Sequence, residues 1–210
     1  MIMRRNKEQT KHSLVNAVGT VLSESGFSGL GVNAVAKAAG VDKVLIYRYF
    51  GSFDALCLAF AQSSDFWPSI EELIPNKQEF LTLDLDQRLV LVFKSFSLAI
   101  RSRPLALEVM AWELMERNAF TQELESVREE FGMQLGQFIT DGLPSDSQAG
   151  KDIDWFAVST IFSAATQYLA LRARTITTYN GVDIGSDNGW QRLEAIMEQM
   201  ISGLIQTKTN

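Results

Sequence analysis

Apolar residues recur along this chain at steps of three and four, the period of one face of an α-helix. From Thr10 to Ser25 the positions Leu14, Ala17, Val18, Val21 and Leu22 keep that spacing, and Gly26 predicts the stop. A second, short helix is expected over Val32–Ala39, with Val32, Val35, Ala36 and Ala39 on one face and Gly40 ending it. Asp42 then predicts a cap for a third short helix, accepting from the amides two and three residues on. Gly51-Ser52 makes the next break, and a fourth helix is expected from near Phe53. Two short helices around a glycine-centred turn fit a helix-turn-helix.

Downstream, Pro68, Pro75, Pro104 and Pro144 punctuate further helical stretches. The pattern predicts helices over Asp84–Ser102, Leu105–Glu116, Thr121–Asp141, Asp152–Thr178 and Asn188–Thr207, with turn-rich loops at Leu143–Lys151 and Asn180–Asn188. No strand alternation persists. The expected fold is all-α, with a head over residues 1–56 and a helical-bundle body over 57–210. Their boundary, near residues 56 to 66, is expected inside or beside a helix.

The last two helices carry a pattern for self-association. Trp190, Leu193, Ile196, Met197, Met200, Ile201 and Leu204 form a narrow apolar stripe. The preceding helix is apolar on more than one side, through Trp155, Phe156, Val158, Ile161, Phe162, Ala165, Tyr168, Leu169 and Leu171. A helix apolar nearly all round is buried nearly all round. Core on one side and a second subunit on the other satisfies both helices, and a fully intramolecular core is the alternative. Phe162, Tyr168, Leu193, Met197, Met200 and Leu204 are the expected dimerisation residues.

Composition adds an asymmetry. The chain has 210 residues, 46% of them hydrophobic and 21% charged, and a net charge of −6. That is an ordinary globular composition with length enough for a substantial core. Residues 1–56 hold seven basic against four acidic residues, a net +3, which leaves −9 for the rest. A basic head on an acidic body points to a polyanion partner for the head alone. The single cysteine, Cys57, excludes an internal disulfide. No apolar stretch reaches the length of a membrane span and the N-terminus lacks a signal-like apolar core, so a cytoplasmic location without membrane partners is expected.

In the third helix Ile46 and Phe50 are four residues apart and are expected to pack inward. Lys43, Val44, Tyr47 and Arg48 then fall largely on the exposed side. Cationic and hydroxyl donors on an exposed helix face suit phosphate oxygens and base edges. Lys43 suits guanine O6 or N7, Asn33 suits adenine, and Val44 offers only contact to a thymine methyl. Tyr47 suits either job, and Arg48 suits phosphate.

The residues Gly26-Phe27, then Val32, Val35-Ala36 and Ala39-Gly40-Val41, then Ile46-Tyr47, Tyr49-Phe50, Ser52, Asp54 and Leu56 resemble the signature of TetR-type transcriptional regulators. The match covers roughly residues 10 to 60 with its spacing unbroken. The resemblance implies a third helix that reads the major groove at Lys43, Val44 and Tyr47, a further contact at Asn33, and phosphate binding at Tyr49. Three positions depart from the family pattern. Gly31 replaces a capping Ser or Thr, Leu45 stands where a hydroxyl often meets the backbone, and Phe53 replaces a common lysine. Arg4, Arg5 and Lys7 form a candidate basic arm toward phosphate or the minor groove, with a solvated terminus as the alternative.

In the body, Phe93, Phe96, Met110, Trp112, Met115, Phe131, Met133 and Phe138 suit either a core or an apolar pocket. Phe93, Phe96, Met110, Trp112, Phe131 and Phe162 are the candidate effector contacts. Glu108 and Glu113 interrupt an apolar helix, either to balance a cationic ligand or as solvated positions. The only histidine, His12, has no catalytic partner in its surroundings, and Glu129 and Glu130 point in different directions on a helix. The pattern therefore predicts no enzyme, cofactor or metal. The expected protein is a dimeric repressor that binds a palindromic double-stranded DNA operator and is released by a small apolar or amphipathic effector. The alternative is a dimeric binding module whose head has weakened or lost specific DNA recognition.

Overall fold

The computed structural model describes residues 2–63, 66–115, 117–142 and 153–206, with side chains from residue 7 through residue 205 of these. The helices, in chain order, are α1 (Ile2–Gly29), α2 (Val32–Ala38), α3 (Val44–Phe50), α4 (Phe53–Ala61), α5 (Ile70–Leu73), α6 (Lys77–Phe80), α7 (Leu85–Arg101), α8 (Pro104–Glu113), α9 (Ala119–Thr140), α10 (Trp155–Arg172) and α11 (Asp187–Gln206). One hairpin, β1 (Thr178–Tyr179) with β2 (Val182–Asp183), lies between the last two. The all-α expectation holds. The expected Leu143–Lys151 loop lies outside the described residues, as do Glu116, Asp152 and Thr207 at the ends of expected helices.

The chain forms two compact units. One comprises Met1–Trp67 and Arg103–Glu129; the other comprises Pro68–Ser102 and Glu130–Asn210. The unit that holds the head is thus larger than residues 1–56, because it takes in α8 and the first part of α9.

In the first unit, the predicted stripe of α1 is the core. Leu14, Val18 and Leu22 have no exposed surface, and Ala17 and Val21 are buried beside them. α1 packs on α2, α4 and α8. Gly26 is non-helical (φ 63°, ψ −168°), so the regular helix breaks where the sequence predicts. Beyond it, Phe27 meets Trp112 and Phe120 edge-on, at ring-centroid distances of 5.7 and 5.9 Å. α8 and α9 are joined by a buried ion pair, Glu113–Arg128, whose side chains are 8% and 17% exposed. The Arg128 guanidinium also lies 5.5 Å from the Trp67 ring. Burial pushes the Glu113 carboxyl above the ordinary carboxylate range, although the hydrogen bonds and charge of Arg128 pull the other way. Taking two charges out of water offsets much of their mutual attraction, so such a pair specifies a geometry as much as it adds stability.

In the second unit, α5, α10 and α11 pack on α7. α7 begins at the N-cap Asp84, whose amide donates to Gln87 Oε1 at 3.0 Å. Its Arg88, only 1% exposed, has no carboxylate partner among the described residues. The guanidinium instead donates to the carbonyls of Leu81, Leu83, Ile139 and Asp141 at 2.6–2.9 Å, and it lies 5.5 Å from the Phe80 ring. Two of these carbonyls close α9, where the helix dipole is negative and a buried cation is welcome. Three polar links then join α7 to α11: Lys94 to Glu198, Ser97 to Glu194 and Arg101 to Asp187.

The expected helix over Asp152–Thr178 is too long. α10 ends at Arg172, and Thr175 to Thr178 is a run of β-branched residues that gives little support to a helix. Asn180 and Gly181 both take positive φ (47° and 79°), the requirement of a two-residue hairpin turn, and pair Tyr179 with Val182. Two short helices, α5 and α6, also fall where none is predicted; each is capped by a side chain, Ser69 and Asn76.

Replacing Arg88 with Met leaves the buried Ile139 carbonyl and three part-buried carbonyls without their donor and is expected to cost about 3 kcal/mol or more, read from urea unfolding. Glu113→Ala, which strands the Arg128 charge, is expected to cost about 3–5 kcal/mol. The double change Glu113→Leu with Arg128→Met should recover most of that loss in the same assay.

Candidate nucleic-acid interface

The site is assembled from α2, the turn after it, and α3. Gly40 takes φ 66°, a left-handed conformation that lets the chain reverse directly after α2. Its successor, Val41, donates back to the Ala36 carbonyl at 3.0 Å. Asp42 Oδ1 accepts from the Val44 amide at 2.8 Å, the predicted cap. A carboxylate therefore stands at the start of α3, so anion contacts there fall to side chains rather than to free amides. α2 starts at Gly31 with no side-chain cap, as the glycine dictates.

Ile46 has no exposed surface and seats α3, which packs on α4. With Ile46 inward, the helical period turns Val44 (61% exposed), Tyr47 (51%) and Arg48 outward, and Lys43 is exposed beside them. Asn33 is exposed on α2. Tyr49 and Phe50 are half-buried, so Phe50 is less enclosed than its spacing from Ile46 predicts. Their rings face cations of α1: Lys7 Nζ lies 5.8 Å from the Tyr49 centroid, and Lys11 Nζ lies 6.0 Å from that of Phe50. Leu45 and Phe53 are also half-buried, which accounts for apolar residues there in packing terms. The side chains of Arg4 and Arg5 lie outside the described residues, but their backbone continues α1.

The candidate effector residues divide between the units. Met110 and Trp112 belong to the first, where Trp112 meets Phe27; Phe93, Phe96, Phe131 and Phe162 belong to the second. Phe93 and Phe96 are buried, and the Phe93 and Phe162 rings lie 5.1 Å apart. Glu113 is engaged by Arg128, which removes it as a counter-charge for a cationic ligand. Cys57 is buried, and desolvation with the nearby Asp54 charge pushes its thiol up to about 12, so it stays protonated and inert. Among the described residues no cluster of three or more His, Cys, Asp or Glu side chains is arranged to hold a metal ion, and no single helix is long and apolar enough to cross a membrane.

The expected dimerisation residues also divide. Phe162 is buried, with its ring beside that of Phe93. Tyr168, Met200 and Leu204 are exposed, while Leu193 and Met197 are half-buried. Phe156 and Ile161 on α10 and Ile196 on α11, exposed as well, extend the outward apolar faces.

Residues 14–60 match the sequence model of bacterial regulatory proteins of the tetR family. No curated protein matches the chain. Among solved structures, the fold is similar to the fatty acid degradation regulator FadR from Bacillus halodurans, at 15% identity and TM-score 0.60, over 93% of this chain and 94% of that one. It is also similar to a TetR-like transcriptional regulator from Rhodococcus sp. RHA1, at 19% identity and TM-score 0.60, over 92% and 96%. A further Rhodococcus transcriptional regulator aligns at 21% identity and TM-score 0.59, over 94% and 96%. Residues 14–60 thus carry the sequence pattern of the tetR family of bacterial regulatory proteins, and the chain as a whole shares the fold of these solved structures.

Proposed function

We propose that the protein is a cytoplasmic, DNA-binding repressor that acts as a homodimer on a palindromic operator. The observation that carries this reading is the outward set Lys43, Val44, Tyr47 and Arg48 on α3, held by buried Ile46 inside the family-matched segment. Lys43 and Tyr47 read base edges, Val44 meets a thymine methyl, Asn33 adds a contact from α2, and Arg48 and Tyr49 hold phosphate. The basic balance of residues 1–56 supplies the general attraction to a polyanion.

The dimer reading rests on the exposed apolar side chains Phe156, Ile161 and Tyr168 of α10 and Ile196, Met200 and Leu204 of α11. Such faces mark association surfaces. A two-fold dimer presents two α3 helices, and operator half-sites one helical turn apart would lie roughly 34–36 Å centre to centre. A small apolar or amphipathic effector, held by Phe93, Phe96 and Phe131 or by Met110 and Trp112, releases DNA by binding more tightly to a DNA-incompetent conformation. The coupling is reciprocal: operator binding weakens effector affinity by the same factor.

On the duplex that the wild-type protein selects, Lys43→Ala and Tyr47→Ala should each cost about 1–3 kcal/mol and relax preference at one position per half-site. Unchanged affinity and preference in both variants, measured by fluorescence anisotropy, would mean that another surface reads DNA. Met200→Glu combined with Ile161→Asp should convert a dimer to a monomer in analytical ultracentrifugation and weaken operator binding. A variant that remains dimeric would place the subunit contact elsewhere.

A further inference from the structure

We propose that the open groove between α7 and α11 binds a small aliphatic amine, with its ammonium on Asp86 and its hydrocarbon body over Val90 and Leu91. The site goes beyond the DNA-binding reading and does not depend on it.

Both helices belong to the second unit, where three polar links hold them side by side. At the Lys94–Glu198 link the helices border a groove of about 400 Å³. Asp86, Val90 and Lys94 follow one another at four-residue steps and form one row along α7, with Leu91 beside it. Glu198 and Ser202, also four apart, form the facing wall on α11. Asp86 and Lys94 are eight residues apart, about 12 Å along the helix axis. The row therefore runs from a carboxylate through aliphatic side chains to an ion pair, in which Lys94 Nζ donates to Glu198 Oε2 at 2.7 Å.

The charges along this row do not balance. Lys94 and Glu198 neutralise each other, whereas the half-buried Asp86 side chain has no hydrogen bond or ion pair among the described residues. Arg88, two residues away, is buried and committed to four carbonyls. Asp86 lies in the first turn of α7, where the helix dipole favours a carboxylate. That accounts for an acid at this position and leaves its acceptor oxygens open. An ammonium supplies the missing donors and charge. An alkyl chain attached to it covers Val90 and Leu91, which are only half-buried. An anionic ligand would meet Asp86 and Glu198 with like charge, so the groove selects an amine over a fatty acid.

The groove is separate from the other candidate surfaces. Phe93 and Phe96 are buried on the inner side of α7. Glu198 and Ser202 each lie two positions beyond the exposed Ile196 and Met200, about 200° round the helix. A second subunit seated on that apolar face leaves the groove open.

Titration calorimetry of the full chain with hexylamine, hexanol and hexanoate tests the assignment. Hexylamine should bind, and the other two should bind about tenfold more weakly or not at all. Asp86→Asn should cost hexylamine about tenfold in affinity. Lys94→Met removes the like charge and frees Glu198, so it should tighten hexylamine about threefold, a gain that damage to the fold cannot mimic. No hexylamine heat and no rise in melting temperature at millimolar concentration would overturn the proposal. Equal binding of hexylamine and hexanol would do the same, by making the groove an apolar surface only. So would unchanged hexylamine affinity in Asp86→Asn. If Asp86→Asn is unstable, Lys94→Met decides, and unchanged or weaker binding there sinks the assignment. Loss of self-association in Asp86→Asn would make the groove a subunit contact and contradict it as well. None of these outcomes bears on DNA binding.

Discussion

The contact on which the head depends is the burial of Ile46. α3 is seven residues long and too short to persist alone, so its orientation comes from what it packs on. One fully enclosed branched side chain against α4 fixes the helix in rotation, and a shift of one residue would turn Tyr47 into the core and Ile46 into solvent. Everything outward on α3 follows from that one inward choice. Asp42 and Gly40 then fix where the helix begins, the first by capping it and the second by allowing the reversal before it.

The first unit extends this logic beyond the reading helix. α8 packs on α1, and Trp112 meets Phe27 just past the break in that helix. Gly19 makes room for Phe60 and Leu105, whose side chains would lie 3.0–3.1 Å from an added β-carbon. The Glu113–Arg128 pair joins α8 to α9 in the same unit. A displacement of α8 is therefore felt by α1, the helix that carries Lys7 and Lys11 and supports α2.

Much of this was legible in the sequence because helical periodicity and glycine punctuation are local signals. Leu14, Val18, Leu22 and Ile46 are core where their spacing places them, and the turn at Gly40 and the cap at Asp42 stand where their chemistry demands. The rest depended on partners distant along the chain. Arg88 reads as an ordinary polar helix position, yet the end of α9, some fifty residues away, supplies two of its four acceptors. Phe162 reads as a candidate for two surfaces, and its contact with Phe93, far off along the chain, is invisible in the sequence. Lys7 and Lys11 read as two charges near a terminus until the end of α3 is placed beside them. The hairpin after α10 had a local signal, Asn180-Gly181, but its two-residue strands are too short to show alternation.

Whether the outward face of α3 reads DNA sequence is decided by selection of bound duplexes from a random library. The expected result is a recovered consensus with two-fold symmetry, bound with an affinity that falls steeply as salt rises. Recovery of no consensus, with uniformly weak binding to all duplexes, would contradict it.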